Sequence, residues 1–465
     1  MKKETKIEIF FWLVVVFVFS PRILLEVYEN KLKNSLIPFE NNEWTVKDKD
    51  GNVIYENLTL PYDLRWKEQK TSRREWVFEK EVKTEHLKNK DDLGIVLGRI
   101  GDIGYVQFND CTLGGLGFDL NNKKPSTYSW SQVVYMLVPS KCVLSSYSKI
   151  KIVVKKFTGP GFGIYSGVIG FASYSDVNKL INWINFFKYY LISSFGLGLI
   201  LFVGTQYLFV YLISEKKSVY GIFALLSSSV GMYLLCTSIF FLLPIELINF
   251  FEKLLFFSAA SSTIWFHKFF NLKFNIFSKK IFIPYVVLVS FLLLVAFASN
   301  DPATVYILYE VWHPIFLGSF VVSYLQLRKV KVKYSDNIYL KKYSLAFSIF
   351  LLCCLHDVVV SVFGFSNSYL IGYAFSFFVL VVSLTLSREY SDAFEKVEEQ
   401  VVQRTHELNL ALKDVQNIQK LKDDQAKRFA HDIRSPLAAL KVLKDIIAPA
   451  VPEDQGGLLK HAIVR

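Results

Sequence analysis

The chain changes its hydrophobic rhythm three times, and each rhythm predicts a different kind of structure. A basic start, Met1 to Lys6, leads into an apolar run from Ile7 to Leu25 that Arg22 interrupts near its end. The length of that run, with no clear small-x-small cleavage site, reads as a retained anchor over residues 1–26 rather than a cleaved signal peptide. Either way the basic start holds the N-terminus in the cytoplasm and exports the segment after the apolar run. From about 27 to 180, short apolar runs alternate with clusters of Gly, Asn, Asp and Pro. Trp76-Val77-Phe78, Ile95-Val96-Leu97, Tyr105-Val106-Gln107-Phe108, Val133 to Leu137 and Ile150 to Val154 are such runs, at a spacing that predicts a β-sandwich.

From Phe186 the rhythm lengthens to apolar windows of about twenty residues, enough to cross a bilayer. Seven are predicted, at 186–213, 219–243, 246–267, 281–299, 303–327, 343–363 and 367–387. After Leu386 the chain turns charged. Phe394, Val397, Val401, Leu408, Ala411, Val415, Ile418 and Phe429 follow a 3-4 spacing, with Arg404, Lys422 and Gln425 breaking the seam. This predicts a coiled coil over 388–424 and a parallel dimer, against the alternative of a solvated linker. No proline or glycine lies between Tyr373 and Ser435, so one nearly continuous helix is expected. Beyond it, Leu440, Val442, Leu443 and Ile447 extend a helix, Ala448-Pro449-Ala450-Val451-Pro452 makes a turn, and a second helix starts at Glu453. Two such hairpins over 425–465 would form a four-helix bundle by dimerisation.

Composition agrees with a polytopic membrane protein. The 465 residues are 52% hydrophobic, with 42 Phe, and mean hydropathy is positive. The formal charge of +12 is a matter of topology. If residues 27–180 are outside, the inward loops 214–218, 268–280 and 328–342 hold twelve Lys and Arg, whereas the outward turns hold none. Only Glu215 and Asp336 oppose them, so these loops carry most of the excess. The basic balance therefore points to anionic lipid as partner and gives no reason to invoke nucleic acid. Cys236, Cys353 and Cys354 fall in apolar windows as small hydrophobes. Cys111 and Cys142 lie in the exported segment, where pairing is possible but two separate thiols is the favoured reading. Glu252, His267, Glu310, His313, His356 and Asp357 lie in or near the windows. Pairing between helices is favoured for them over a transport path, since no internal repeat is visible. His86 and His406 read as surface residues, and His461 has no motif around it.

Phe429-Ala430-His431-Asp432-Ile433-Arg434-Ser435-Pro436-Leu437 carries the chemistry. A neutral imidazole is a nucleophile near neutral pH, and a carboxylate beside it can fix its tautomer. Ser435, four residues on, shares the helix face of His431. Pro436 removes one intrahelical bond and is expected to bend the helix just after it. This stretch resembles the H-box of sensor histidine kinases. The resemblance implies that His431 is the phosphoacceptor and Asp432 the base that assists it. It places Ser435 where a Thr or Asn often positions the water for dephosphorylating the regulator; serine departs from that pattern and counts against phosphatase activity.

The exported segment is similar to the jelly-roll, galactose-binding-like module through Leu60-Pro61, Leu97 to Asp102, Phe108-Asn109-Asp110 and Val138-Pro139. Trp66, Trp76, Arg99, Asp102 and Trp130 are its candidate contacts for a small-molecule or carbohydrate ligand. For each, the favoured alternative is structural: tryptophans in the core, and Arg99 paired with Asp102. No pair of carboxylates has a glycosidase setting. Taken with the helices and the H-box, the chain resembles a bacterial sensor histidine kinase of the seven-transmembrane receptors with diverse intracellular signalling modules. That implies an inner-membrane homodimer, a periplasmic or extracellular sandwich, a cytoplasmic C-terminus and a cognate response regulator. The family's Asn- and Gly-rich ATP-binding boxes do not occur within the 465 residues, nor does a Walker-type loop. ATP and Mg²⁺ are thus expected on a kinase domain not found here; no cofactor or metal site is assigned to this chain. It reads as a truncated product, a fragment of a longer frame, or a protein phosphorylated by a kinase acting in trans. The alternatives are a non-catalytic receptor that dimerises with intact kinases and modulates them, and a transporter-like protein with a signalling tail.

Overall fold

A computed structural model describes residues 3–62, 75–87, 91–101, 103–121, 124–125, 133–144, 146–155, 163–214, 218–239, 243–276, 279–300, 302–333, 337–363 and 370–447. The chain divides into two units, Met1–Leu386 and Ser387–Arg465. The first opens with helix α1 (Lys3–Ser35). Strands β1 (Ile37–Pro38), β2 (Glu43–Asp48), β3 (Val53–Thr59), β4 (Glu75–Lys83), β5 (Leu93–Gly101) and β6 (Ile103–Phe108) come next. After them come β7 (Cys111–Leu116), β8 (Phe118–Asp119), β9 (Lys124–Pro125), β10 (Val133–Leu137), β11 (Tyr147–Lys155) and β12 (Gly163–Ser173).

These strands form an antiparallel four-stranded sheet, ordered β1-β12-β5-β10, and an antiparallel six-stranded sheet, ordered β3-β2-β4-β11-β6-β7. Period-two alternation decides which side chains go inward. In β4, Trp76, Phe78 and Val82 are buried while Glu81 and Lys83 are exposed. Trp44, Trp76, Phe78, Phe108 and Ile152 of one sheet share a single core with Ile95, Leu97 and Phe171 of the other. Each such side chain contributes about 1.5–3 kcal/mol by leaving water.

The central strand β5 is buried along its whole length, as its unbroken Leu93-Gly94-Ile95-Val96-Leu97 run demands. Its second face is covered by helices. Val96 packs with Leu25 and Leu32 of α1 and with Val177, Ile181 and Ile184 of the next helix, α2 (Tyr174–Ile213). This explains why α1 runs ten residues past Leu25: Leu25 and Leu32, seven apart on one face, find the sheet to cover. The β12–α2 junction is locked to the same strand. Tyr174 N–H donates to Asp92 O (2.9 Å), and the Asp92 carboxylate accepts from the hydroxyls of Ser173 (2.6 Å) and Ser175 (2.8 Å). A Cβ at Gly94 would stand 3.0 Å from Tyr174 Cα, so the close approach needs glycine.

Helices α3 (Ser218–Ile239), α4 (Ile248–Phe274), α5 (Lys279–Ala298), α6 (Pro302–Lys333), α7 (Ile338–Phe363) and α8 (Ile371–Ile447) complete the described chain. Five helices among the described residues are long and apolar enough to cross a membrane: α2, α3, α5, α7 and α8. Helix α2 includes two π-helical segments, Phe186–Tyr190 and Leu199–Gly204, and crosses α3 in backbone contact. A Cβ on Gly196 would lie 2.7 Å from Gly231 O, so the close approach needs glycine there. The high Phe content fills this bundle: the ring of Phe266 lies 4.4 Å from Phe320, 4.7 Å from Phe270, 5.0 Å from Phe347 and 5.1 Å from Phe378, centroid to centroid.

One cysteine expectation is overturned. Cys111 and Cys142 form a disulfide across 31 residues, because the start of β7 and the short turn after β10 meet at one end of the sandwich. Glu215, Lys216, Lys217, Asp336 and His461, the turn at 448–452 and the helix expected from Glu453 lie outside the described residues.

Candidate functional site

His431 sits in the second unit, on the last quarter of α8, which continues through Pro436 to Ile447. Helix-forming Lys, Gln, Ala, Arg and Leu dominate Leu421–Leu440, which accounts for the helix. The imidazole is 84% exposed and Asp432 79% exposed. His431 Nδ1 lies 3.4 Å from Asp432 Oδ1, a long contact for a hydrogen bond. Ser435 is also exposed, one helical turn further on. The imidazole is thus open to solvent, unlike a core histidine.

Phe394, Val397, Val401, Leu408, Val415, Ile418 and Phe429 are likewise all exposed. So many apolar side chains at helical spacing on one helix are costly in water until something covers them.

The candidates in the sandwich fare differently. Trp76 is fully buried in the sandwich core. Arg99 projects from the outward face of β5, is 5% exposed, and places Nη2 2.8 Å from Glu29 Oε1 on α1. No sequence signal singles out Glu29, because residues 26–35 carry so much charge that they read as the start of a soluble domain. Trp66, Asp102 and Trp130 lie outside the described residues, so no ligand site can be assembled from that set.

The polar residues of the bundle form pairs between and within helices. His267 of α4 meets two hydroxyls of α6, Ser319 at Nε2 and Ser323 at Nδ1, both at 2.9 Å. Tyr285 on α5 donates to Thr263 on α4 at 2.6 Å. His313 Nδ1 is 2.7 Å from Tyr309 O. Asp357 on α7 has a role that spacing could not show: it accepts the backbone N–H groups of Leu370 (2.8 Å) and Ile371 (2.7 Å) at the start of α8, with His356 Nδ1 at 2.9 Å. A carboxylate there meets the orphan donors and the positive end of the helix dipole. The side chain of Glu310 is outside the described ones.

Among the described residues no group of three His, Cys, Asp or Glu is placed to hold a metal ion. No protein-family model matches the chain, and no curated protein matches it in sequence. Solved structures show a partial similarity. The match to a Bacteroides uniformis beta-glucuronidase has 11% identity and a TM-score of 0.23, over 29% of this chain and 17% of that one. A putative beta-galactosidase from Bacteroides fragilis matches with 13% identity and a TM-score of 0.23, over 29% and 22%. A glycosyl hydrolase family 2 member from Bacteroides cellulosilyticus gives 11% and 0.22, over 29% and 20%. The matched region is thus about a fifth of each enzyme.

Proposed function

We propose that this chain is a membrane receptor of the two-component type whose output is phosphorylation of His431. In this reading the sandwich is a jelly-roll sensor outside the cell, seven helices cross the bacterial inner membrane, and the charged part of α8 is a coiled coil that pairs two copies. The observation that carries it is the exposed His431–Asp432 pair on a helix with an uncovered apolar seam. Nothing in a monomer requires that combination. A dimeric phosphoacceptor helix requires both parts of it.

The chemistry assigned to this chain is limited to its own residues. Asp432 holds the proton at Nδ1 of His431, and Nε2 supplies the lone pair that accepts the phosphoryl group. In this reading ATP with Mg²⁺ is the phosphoryl donor, and a response-regulator aspartate is the onward acceptor. Membranes carrying the chain, given ATP and an intact sensor kinase, should incorporate into this chain, separated from the kinase by size, phosphate that survives alkali and is lost in acid. His431→Gln should abolish that label, and label undiminished in the variant would dispose of the proposal.

A further inference from the structure

Helices α1 and α2 run antiparallel, and three contacts fix their relative level. Beside the sheet, Leu32 packs in one cluster with Val177 and Ile181. Next, Tyr28 stacks on Trp183, with ring centroids 5.7 Å apart and planes 13° from parallel. Further from the sheet, Phe17 meets Phe195 edge to face at 6.1 Å. Nearly equal lengths of the two helices separate the last two contacts, so each level on α1 has its counterpart on α2. At the level of the stack the outer sides of both helices change character. On α2 the exposed residues before Trp183 are Ser175, Asp176, Lys179 and Asn182. From Phe186 to Phe202 the exposed ones are apolar or aromatic apart from Ser194, whose hydroxyl donates to Tyr190 O at 2.8 Å. On α1 every exposed residue from Trp12 to Leu24 is apolar, whereas beyond it Glu26, Asn30, Lys31 and Lys33 stand out with only Val27 among them.

Two helices that switch from polar to apolar at one shared level mark a boundary between water and hydrocarbon. The rings at that level suit it: Trp and Tyr combine an apolar body with a polar edge, and they concentrate at the bilayer interface. Trp183 is 48% exposed, and Lys31 sets its ammonium 5.5 Å from the Tyr28 centroid, on the polar side. Arg22 and Lys188 lie within two turns of the stack, near the end of each span, where long cationic side chains are tolerated. From Trp183, α2 runs on to Ile213, a rise of about 45 Å, the thickness of a bilayer with both headgroup regions. From these we infer that Tyr28 and Trp183 form an anchor in the headgroup layer of the bilayer, that α1 crosses the membrane beside α2, and that the sandwich rests directly on the lipid surface. No linker intervenes, because β12 ends at Ser173, α2 begins at Tyr174, and its first turns are committed to the sheet through Val177 and Ile181. The anchor does not depend on the phosphoacceptor reading of His431.

The test uses the full chain in phosphatidylcholine nanodiscs, with a nitroxide label attached in turn to Lys31→Cys, Leu24→Cys, Lys179→Cys and Phe186→Cys. All four side chains are exposed, so the fold should tolerate each change, and Cys236, Cys353 and Cys354 are buried away from the label. Relaxation of the label is measured with oxygen, which partitions into lipid, and with a nickel chelate, which stays in water. The ratio of oxygen to nickel relaxation should rise steeply from 31 to 24 and from 179 to 186, which puts the lipid boundary at the stack on both helices. Labels at 24 and 186 as open to the nickel chelate as those at 31 and 179 would overturn the inference. So would labels at 24 and 186 shielded from both agents, which would give that face to another protein chain or a second copy.

Discussion

Asp357 Oδ2 accepts the backbone N–H of Ile371 at 2.7 Å, so a side chain of α7 caps the next helix in the chain. Its other oxygen takes the N–H of Leu370 at 2.8 Å. Capping contacts contribute about 0.5–2 kcal/mol, and charge-assisted bonds in a site away from water lie at the upper end. Asp357→Ala should therefore lower the stability of the full chain in micelles by about 1–3 kcal/mol. Asp357→Asn, which keeps an acceptor, should lose less. Equal melting of wild type and the alanine variant would show that the cap does not hold α8.

Acid should loosen the sandwich. Burial alone would push the Glu79 carboxyl up, but Lys47 at 2.6 Å and Lys149 at 3.0 Å outweigh it and hold it below its ordinary value of 4.5. The hydroxyls of Ser173 and Ser175 likewise hold Asp92 below 3.8. A carboxyl depressed on folding adds stability that is fully present above its unfolded pKa and disappears as pH falls through the folded one. Stability should thus be flat near about pH 6 and fall steadily below about pH 4.5. Glu79→Gln should reduce that slope in urea titrations followed by tryptophan fluorescence. An unchanged slope would mean the ion pairs are not maintained in solution.

The Cys111–Cys142 link closes a loop of 31 residues of separation, which by chain entropy corresponds to about 3–4 kcal/mol. Cys142→Ser should lower the urea midpoint of the sandwich accordingly, while Cys353→Ser, a buried thiol among the helices, should leave that transition in place. Equal midpoints for wild type and Cys142→Ser would show that the two cysteines are not joined in the native protein.

Features that depend on neighbours in the chain are legible in the sequence. The alternation Trp76, Phe78, Val82 reports a sheet face directly, and the run Leu93 to Leu97 reports a strand buried on both sides. His431, Asp432 and Ser435 fall within five consecutive residues of one helix, so their shared helical stretch is readable without the fold. Features that depend on tertiary approach are hidden. Arg99 finds Glu29 seventy residues away, on an element that no local pattern links to β5. The segment Glu26 to Ser35 looks soluble, yet is helical because two leucines on one side meet β5. Asp357 reads as a polar intrusion in an apolar window until the backbone of Leu370 and Ile371 comes into reach.

The exposed seam of α8 predicts self-association. Val401→Glu together with Leu408→Glu places two charges among apolar positions and should dissociate dimers of the full chain in nanodiscs, read by cysteine cross-linking at position 415. A loss of at least about tenfold in cross-linking is expected. Cross-linking that persists would assign the seam to another partner.

The central claim is that the Nε2 of His431 carries a phosphoryl group onward. Its most direct measurement tracks label from ATP into a receiver domain when the receptor is coupled to an intact kinase, comparing wild type with His431→Gln. The account predicts that peptide mapping finds phosphate on His431 of the wild type, and that a receiver added after the kinase has been removed is labelled only by wild type. Equal labelling of the receiver by the glutamine variant would contradict it.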